Sequence, residues 1–451
     1  MNENGMKKKI LPYYGDVSHP NKEGGLNHSY FMLFANINEE DLCVLDEFEK
    51  KNTLYIEVKT KNRGCICKSC GTYHTDIKEY VLKKITHSIF HNKSCTILYH
   101  HRRFLCPGCG KTSMEDNPFC SERNHISDRT IDNILKFLKR YNNPFRAAAE
   151  YYDVAVSEVI ALFDKYCQMK RLLLRKAICL DEVYFSRKRK KKYVLIILSF
   201  ANGDILDVLK DRDKRTIASY LRSIDLNERN KVEYAVIDMN DSYREVLPRY
   251  LHNATIIADP FHVVSRVGKA LDDVRKRVMR RYEGNKKSDG YYLLKYRDEI
   301  FFKEELSNEA VYNGHFKTHL SEFQLMRMIK ALDKELEEAY DLYQAYLSYN
   351  HTDYEDINKA LNDLESYIRD CKLSDIEEFI ALASTLTFWK TEIVSSFCKV
   401  NGDRVTNGPL EGRNSMIKKI LKIANGYSNF GRFRNRLMYS LNKNSRHSFE
   451  L

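Results

Sequence analysis

The sequence predicts a mixed α/β domain, an antiparallel three-strand meander extended by two parallel strands, followed by a long helical segment and preceded by two small modules. Three observations carry this. Between Ala177 and Asp259 the apolar residues fall into five short strand-like runs, and the last two each follow a helical stretch. From 263 to about 400 the apolar spacing changes to the helical 3.6-residue period and the charge rises. Seven of the twelve cysteines crowd between Cys65 and Cys120, well before the first of those strands.

Composition narrows the class. A chain of 451 residues calls for about two to four domains. A formal charge of +12 and a pI near 8.9 favour an acidic partner, and nucleic acid is the common one, because Lys and Arg that neutralise phosphates release condensed counterions. No apolar run follows the lysines of residues 1–9, so no secretory signal is expected, and no stretch reaches the roughly 18 apolar residues of a membrane span. A cytoplasmic, nucleoid-associated protein is expected. Cysteines in such a chain point to metal or reduced thiols rather than disulfides.

Residues 1–50 read as a polar lead-in. Residues 51–122 lean to strand, with alternation over Thr53–Lys59 and Thr96–Phe104. Here Cys67 and Cys70, then Cys106 and Cys109, form two Cys-x-x-Cys-Gly knuckles. Two pairs of thiolates on tight turns close a tetrahedral shell, so one structural zinc with no open position is expected. Cys65 could replace Cys67; Cys95 and Cys120 lack partners and read as core or surface thiols.

Residues 123–175 turn helical. Ile131, Ile134, Leu135 and Leu138 share a face before Asn142-Asn143-Pro144 breaks the helix. Two short helices then flank a turn at Asp153–Ala155, with small Ala148 at the crossing, Val154 in the turn, and Val159 and Leu162 on the second helix. This is a helix-turn-helix pattern, in which the second helix, about Val156–Tyr166, enters the major groove. It lacks the usual turn glycine and has Ala155 where an N-cap serine is commoner.

The α/β part opens at 176. Strands are expected over Ala177–Phe185, Tyr193–Phe200 and Asp204–Leu209, then Tyr234–Asp238 after a helix at Asp213–Leu221, and Thr255–Asp259 after a helix at Ser242–Leu251. Residues 176–262 form the first part of this domain, 263–400 the helical segment, and 401–451 the last part with a basic helical tail.

Three carboxylates stand out by placement. Asp181 sits in the first strand, Asp238 ends the fourth, and Glu411 is the only acid between Arg404 and Arg446, among ten Lys and Arg. Phosphodiester chemistry explains such a grouping. Two Mg²⁺ or Mn²⁺ ions about 3.5–4 Å apart activate the attacking oxygen and stabilise the leaving one. A few carboxylates around an open cleft hold them, since Mg²⁺ keeps several waters.

These features together, with Ala258-Asp-Pro-Phe-His-Val and Asn407-Gly-Pro-Leu-Glu-Gly-Arg-Asn, resemble the ISL-three family of bacterial insertion-sequence transposases over roughly residues 50–445. The resemblance implies a ribonuclease-H-like fold with a DDE triad at Asp181, Asp238 and Glu411, and it makes 263–400 an insertion before the helix of Glu411. Pro260 and Thr406 depart from the pattern without removing a carboxylate. The implied strand order sets Asp238 beside Asp181 and Asp259 one strand further out, so Asp238 is assigned to the metal. Asp259 and His262 become auxiliary residues that orient DNA or a water beyond the metal's own ligands, or are simply structural.

Arg187, Lys188 and Arg189, in the basic turn after the first strand, are DNA-contact candidates, as are Arg413, Lys418 and Lys419. Arg266, Lys269, Arg275, Lys276, Arg277, Arg280 and Arg281 could track a DNA backbone. Trp389 could stack on a flipped base, although a lone Trp on an amphipathic helix is usually core. The expected activity is metal-dependent cleavage and transfer of DNA strands at terminal inverted repeats, with target DNA as second substrate and a homodimer or higher in the complex. The alternatives are a non-catalytic DNA-binding regulator, which has no need of intact carboxylates, and a ribonuclease or junction resolvase, which the long helical segment and two-part N-terminus fit poorly.

Overall fold

The computed structural model describes residues 9–10, 41–90, 93–121, 124–185, 190–400 and 402–449, with backbone alone at 9–10, 88–90, 93 and Glu411. The chain forms two compact units, Met1–Lys170 with Lys419–Leu451, and Arg171–Lys418.

The first unit contains the strands β1 (Lys9–Ile10), β2 (Leu42–Lys50), β3 (Thr53–Thr60), β4 (Cys65–Ile66), β5 (Tyr73–His74), β6 (Ile77–Phe90), β7 (Lys93–Leu105) and β8 (Thr112–Met114). One sheet runs in the order β1-β2-β3-β7-β6, with β8 also paired to β7, and β4 and β5 pair apart from it. Alternate residues Val44, Ile56, Val58, Ile85, Ile97 and Tyr99 fill the core, with Cys95 and Cys120. The lead-in expected over 1–50 is therefore corrected at its end: Leu42–Lys50 is a strand. Leu42 and Val44 are buried at 2% and 1% exposure, but Asp46, Glu47, Glu49 and Lys50 give the stretch a polar look. The parts of that lead-in over residues 1–8 and 11–40 lie outside the described residues.

Three helices come next, α1 (Asp128–Lys139), α2 (Phe145–Tyr152) and α3 (Val156–Tyr166). Ser127 caps the first, accepting from the Thr130 N–H. Both departures from the helix-turn-helix pattern have local remedies. Asp153 takes the left-handed conformation (φ 51°) that a glycine would, which Asp tolerates better than most residues. The Glu158 carboxylate reaches back to the Ala155 N–H (3.1 Å), half of a capping box. Ile131, Ile134, Leu135, Ala148, Val159 and Phe163 pack together with Tyr439 from the C-terminal segment.

The expectation that 401–451 belongs whole to the α/β domain is corrected here. Its residues from Lys419 belong to the first unit. The cause is burial: the Tyr439 hydroxyl donates to Leu135 O (2.9 Å), and the fully buried Arg436 donates to Arg140 O and Asn143 O (3.0 and 2.7 Å). Lys139 in turn donates to the carbonyls of Tyr439, Asn442 and Ser445, each at 2.7 Å.

The second unit is built on a five-stranded sheet. The strands β9 (Ala177–Tyr184), β10 (Tyr193–Ser199) and β11 (Ile205–Leu209) form the antiparallel meander. The strands β12 (Tyr234–Ile237) and β13 (Thr255–Ala258), preceded by α4 (Lys214–Arg222) and α5 (Asp241–Val246), add in parallel as expected. The order across the sheet is β11-β10-β9-β12-β13. Strand parity divides it into two faces. Ile178, Leu180, Ala235, Ile237 and Ala258 face a large core shared with α6 (Pro260–Arg280) and the helices α7 (Asp289–Tyr296), α8 (Glu322–Lys330), α9 (Lys334–His351), α10 (Ile357–Leu373), α11 (Glu377–Phe388) and α12 (Lys390–Ser395). One two-stranded hairpin, Val311–Asn313 with Thr318–Leu320, interrupts this helical segment. On the opposite face Ala177, Cys179, Val236 and Ile257 pack with Val400, Val405 and Leu410, the last on α13 (Gly408–Ile423).

Candidate functional site

In the first unit the two knuckles bring four sulfurs together. Cys67 lies 3.6 Å from Cys109 and Cys70 lies 3.4 Å from Cys106, and all four Sγ atoms fall within 4.8 Å of one another. Gly71 and Gly110, at φ +73° and +67°, supply the turns behind each pair. Thr72, through its hydroxyl at 3.3 Å and its backbone N–H, holds the Cys70 thiol down at about 6. The thiolate is the form that binds metal. The geometry and donor set fit one tetrahedral zinc. Cys65 takes no part: its sulfur lies beside His74 Nε2 (3.4 Å) and Ser113 Oγ (3.3 Å).

In the second unit, register brings three aspartates level, one within β9 and two directly after β12 and β13. In the parallel pair β12–β9, Val236 lies opposite Cys179, so two residues on Asp238 is level with Asp181. Ile237 lies opposite Ala258, so Asp238 is also level with Asp259. By parity all three share the face on which Leu410 of α13 packs. Glu411 is the next residue on that helix; its side chain lies outside the described residues.

The electrostatics around Asp238 are those of crowded acids. Burial, then Glu182 and Asp181, pushes Asp238 up to about 7, against the pull of Arg212 and Arg266. Its Oδ1 is buried without a hydrogen-bond partner. Asp259 is 2% exposed, accepts from the Asn407 N–H at 3.3 Å, and has His262 Nε2 at 3.9 Å. An orphaned carboxylate oxygen among like charges fits a site for a hard divalent cation. Among the described residues, however, the four cysteines are the one group of three or more ligating side chains that converges this closely.

Sequence reasoning missed the residues that support these acids. Glu182 accepts from Tyr243 Oη (2.7 Å) and Asn240 Nδ2 (3.2 Å) and pairs with Arg212, and Asn414 donates to Asp181 Oδ2 at 2.6 Å. The DNA-contact candidates part company. Lys418 and Lys419 are exposed, and Arg187, Lys188 and Arg189 lie outside the described residues. Arg413 is turned inward, its Nε donating to Gly203 O at 2.8 Å. Most of the basic residues named on α6, and Arg281 just after it, are engaged within the unit. Arg275 and Lys276 bind Asp272, Arg277 binds Glu335 and Glu378, Arg281 binds Asp333, and Arg266 donates to Met239 O. Trp389 is core at 3% exposure, with the Arg244 guanidinium 5.1 Å above its ring.

The second unit and part of the C-terminal segment match known proteins. A family model described as a transposase (ISL3 type, DDE class) matches residues 178–437. The chain is 21% identical over 262 residues to the transposase for insertion sequence element IS1001 of Bordetella parapertussis, covering 55% of this chain and 63% of that protein. It is 25% identical over 115 residues to the transposase for insertion sequence element IS1557 of Mycobacterium tuberculosis, covering 26% of this chain and 24% of that protein. The matched part thus spans less than two thirds of the length of either relative. The family match includes Asp181, Asp238, Asp259 and Glu411 and leaves out the cysteine cluster. No helix among the described residues is long and apolar enough to cross a membrane.

Proposed function

The chain belongs to the ISL3-type DDE transposase family, and on that premise we propose that it is the transposase of a bacterial insertion sequence, binding its terminal inverted repeats and catalysing DNA strand cleavage and strand transfer. The observation that carries the reading is the alignment of Asp181, within β9, with Asp238 and Asp259, each directly after its strand, on the face packed by the helix of Glu411. The strand order, antiparallel meander then two parallel strands, supports a ribonuclease-H-like domain.

In this reading Asp181, Asp238 and Glu411 hold two Mg²⁺ or Mn²⁺ ions. When bound, such ions lower the pKa of the attacking water or hydroxyl and neutralise charge on the leaving oxygen. The chain's own residues prepare the face. Burial keeps Asp238 poorly solvated, so it gains most from a cation. Asn414 orients Asp181, while Tyr243, Asn240 and Arg212 draw Glu182 away as a supporting residue. Asp259, one strand further out and bonded to the Asn407 N–H, ties the loop before α13 to the sheet, with His262 beside it. The zinc-bound knuckles and α3 bind double-stranded DNA in the first unit, Lys418, Lys419 and the turn of Arg187, Lys188 and Arg189 add phosphate contacts, and two ends are held by a homodimer or higher assembly at the nucleoid.

The test is joining of a labelled terminal-repeat duplex, taken from the DNA flanking the gene, to a plasmid target in Mg²⁺. Metal-dependent joining is expected. Binding without cleavage would mean a regulator, and cleavage without joining a nuclease or resolvase; either would overturn the reading.

A further inference from the structure

We infer that Asn414 is a positioning residue for Asp181, and that its amide oxygen is kept for an O–H donor held at the acidic face. The inference rests on the transposase reading and deepens it. On α13, Leu410, Asn414 and Ile417 succeed one another at steps of four and three and share a helix face, with Leu410 and Ile417 fully buried. Asn414 is thereby directed at the sheet, where its Nδ2 donates to Asp181 Oδ2 at 2.6 Å. Its Oδ1 is buried with no partner.

A second asparagine behaves alike. Asn407 is 2% exposed, and both its Oδ1 and its Nδ2 are without partners although it directly precedes the helix, where an asparagine ordinarily caps. Its backbone N–H goes to Asp259 Oδ1. Buried amide groups left unsatisfied cost free energy, and such groups gather where a ligand completes them. An amide suits this place because one group can donate to a carboxylate and accept from a hydroxyl or water without adding charge. A carboxylate there would repel Asp181. The helix is pinned in this pose by Arg413 to the β10–β11 turn.

The test compares wild type, N414A, N414D and D181N for cleavage of the terminal-repeat duplex across a Mg²⁺ titration, with thermal melts and duplex affinity measured beside it. Loss of such a supporting hydrogen bond costs about 10–100-fold in activity or metal affinity. N414A is expected to cleave about 10–100-fold more slowly and to need more Mg²⁺ for half-maximal rate, with melting and duplex affinity unchanged. N414D, which keeps the shape but lacks the N–H donor, is expected to lose at least as much. N414A cleaving near the wild-type rate, or losing rate with its Mg²⁺ dependence unchanged and its melting point lowered, overturns the inference. Cleavage by D181N would instead overturn the functional reading itself.

Discussion

Asp238→Asn is expected to make the metal-free protein more stable while abolishing catalysis. The carboxyl is held at about 7 against an ordinary value of 3.8, by burial first and then by Glu182 and Asp181. A raised acid favours its neutral form, so the native state binds the extra proton between these two values. Stability therefore falls as pH rises from about 4 to 7 and stays low above 7. A shift of about 3 pH units at about 1.4 kcal/mol each sets an upper bound of about 4 kcal/mol on this penalty at pH 8. Asn removes the charge and keeps the shape, so D238N should melt higher at pH 8 without metal, at about 2–4 °C per kcal/mol recovered. The gain should vanish as the buffer is taken to pH 4. Mg²⁺ at ten times its dissociation constant should stabilise wild type by about 1.4 kcal/mol and the variant far less. The assay is a thermal melt of both proteins with and without Mg²⁺, across pH 4–8. A metal-free D238N that melts below wild type at pH 8 would refute the reasoning.

Further predictions concern both units. Removing zinc with a chelator, or substituting Cys106→Ser in the buried half of the cluster, should release one zinc per chain and unfold the knuckles; elemental analysis and melts check this, and a folded zinc-free protein that still binds DNA would count against it. His87, lowered to about 4 by burial and then Arg129, is neutral in the fold and bonded to Ser127 Oγ at 2.9 Å. A depressed pKa means stability is lost as pH falls from about 6.5 toward 4, by up to about 3 kcal/mol, and His87→Asn should flatten that part of the pH–stability curve. Leu410→Ala, in the cluster beneath the acidic face, should cost about 2–5 kcal/mol by denaturant titration and slow cleavage as α13 loosens. Of the variants Asp238→Cys and Asp259→Cys, only the first should recover cleavage in Mn²⁺; rescue of the second alone would reverse the assignment.

The parts of this fold that are legible in the sequence rest on local patterns. The five strands of the second unit show themselves as short apolar runs and by the helices between them, and the knuckles by spacing. The order that sets Asp238 beside Asp181 is implied by the family resemblance, and the pairing of β12 with β9 agrees with it. The rest depends on partners distant in sequence. Arg277 reads as a phosphate contact until Glu335 and Glu378 fold against it. Arg436 and Lys139 look like surface charge, yet they bind carbonyls about 300 residues away. Asn414 closes the motif that begins at Asn407, but its role is not legible there, because it exists only in the bond to Asp181. Leu42–Lys50 is hidden because its exposed positions are charged.

The carboxylates of Asp181, Asp238 and Glu411 are proposed to hold the ions that cut DNA. The most direct measurement is single-turnover cleavage of an end-labelled terminal-repeat duplex by wild type, D181N, D238N and E411Q, with duplex affinity measured in parallel. Cleavage by wild type alone, only with Mg²⁺ or Mn²⁺, and equal binding by all four is the predicted result. Near wild-type cleavage by any of the three variants would contradict it.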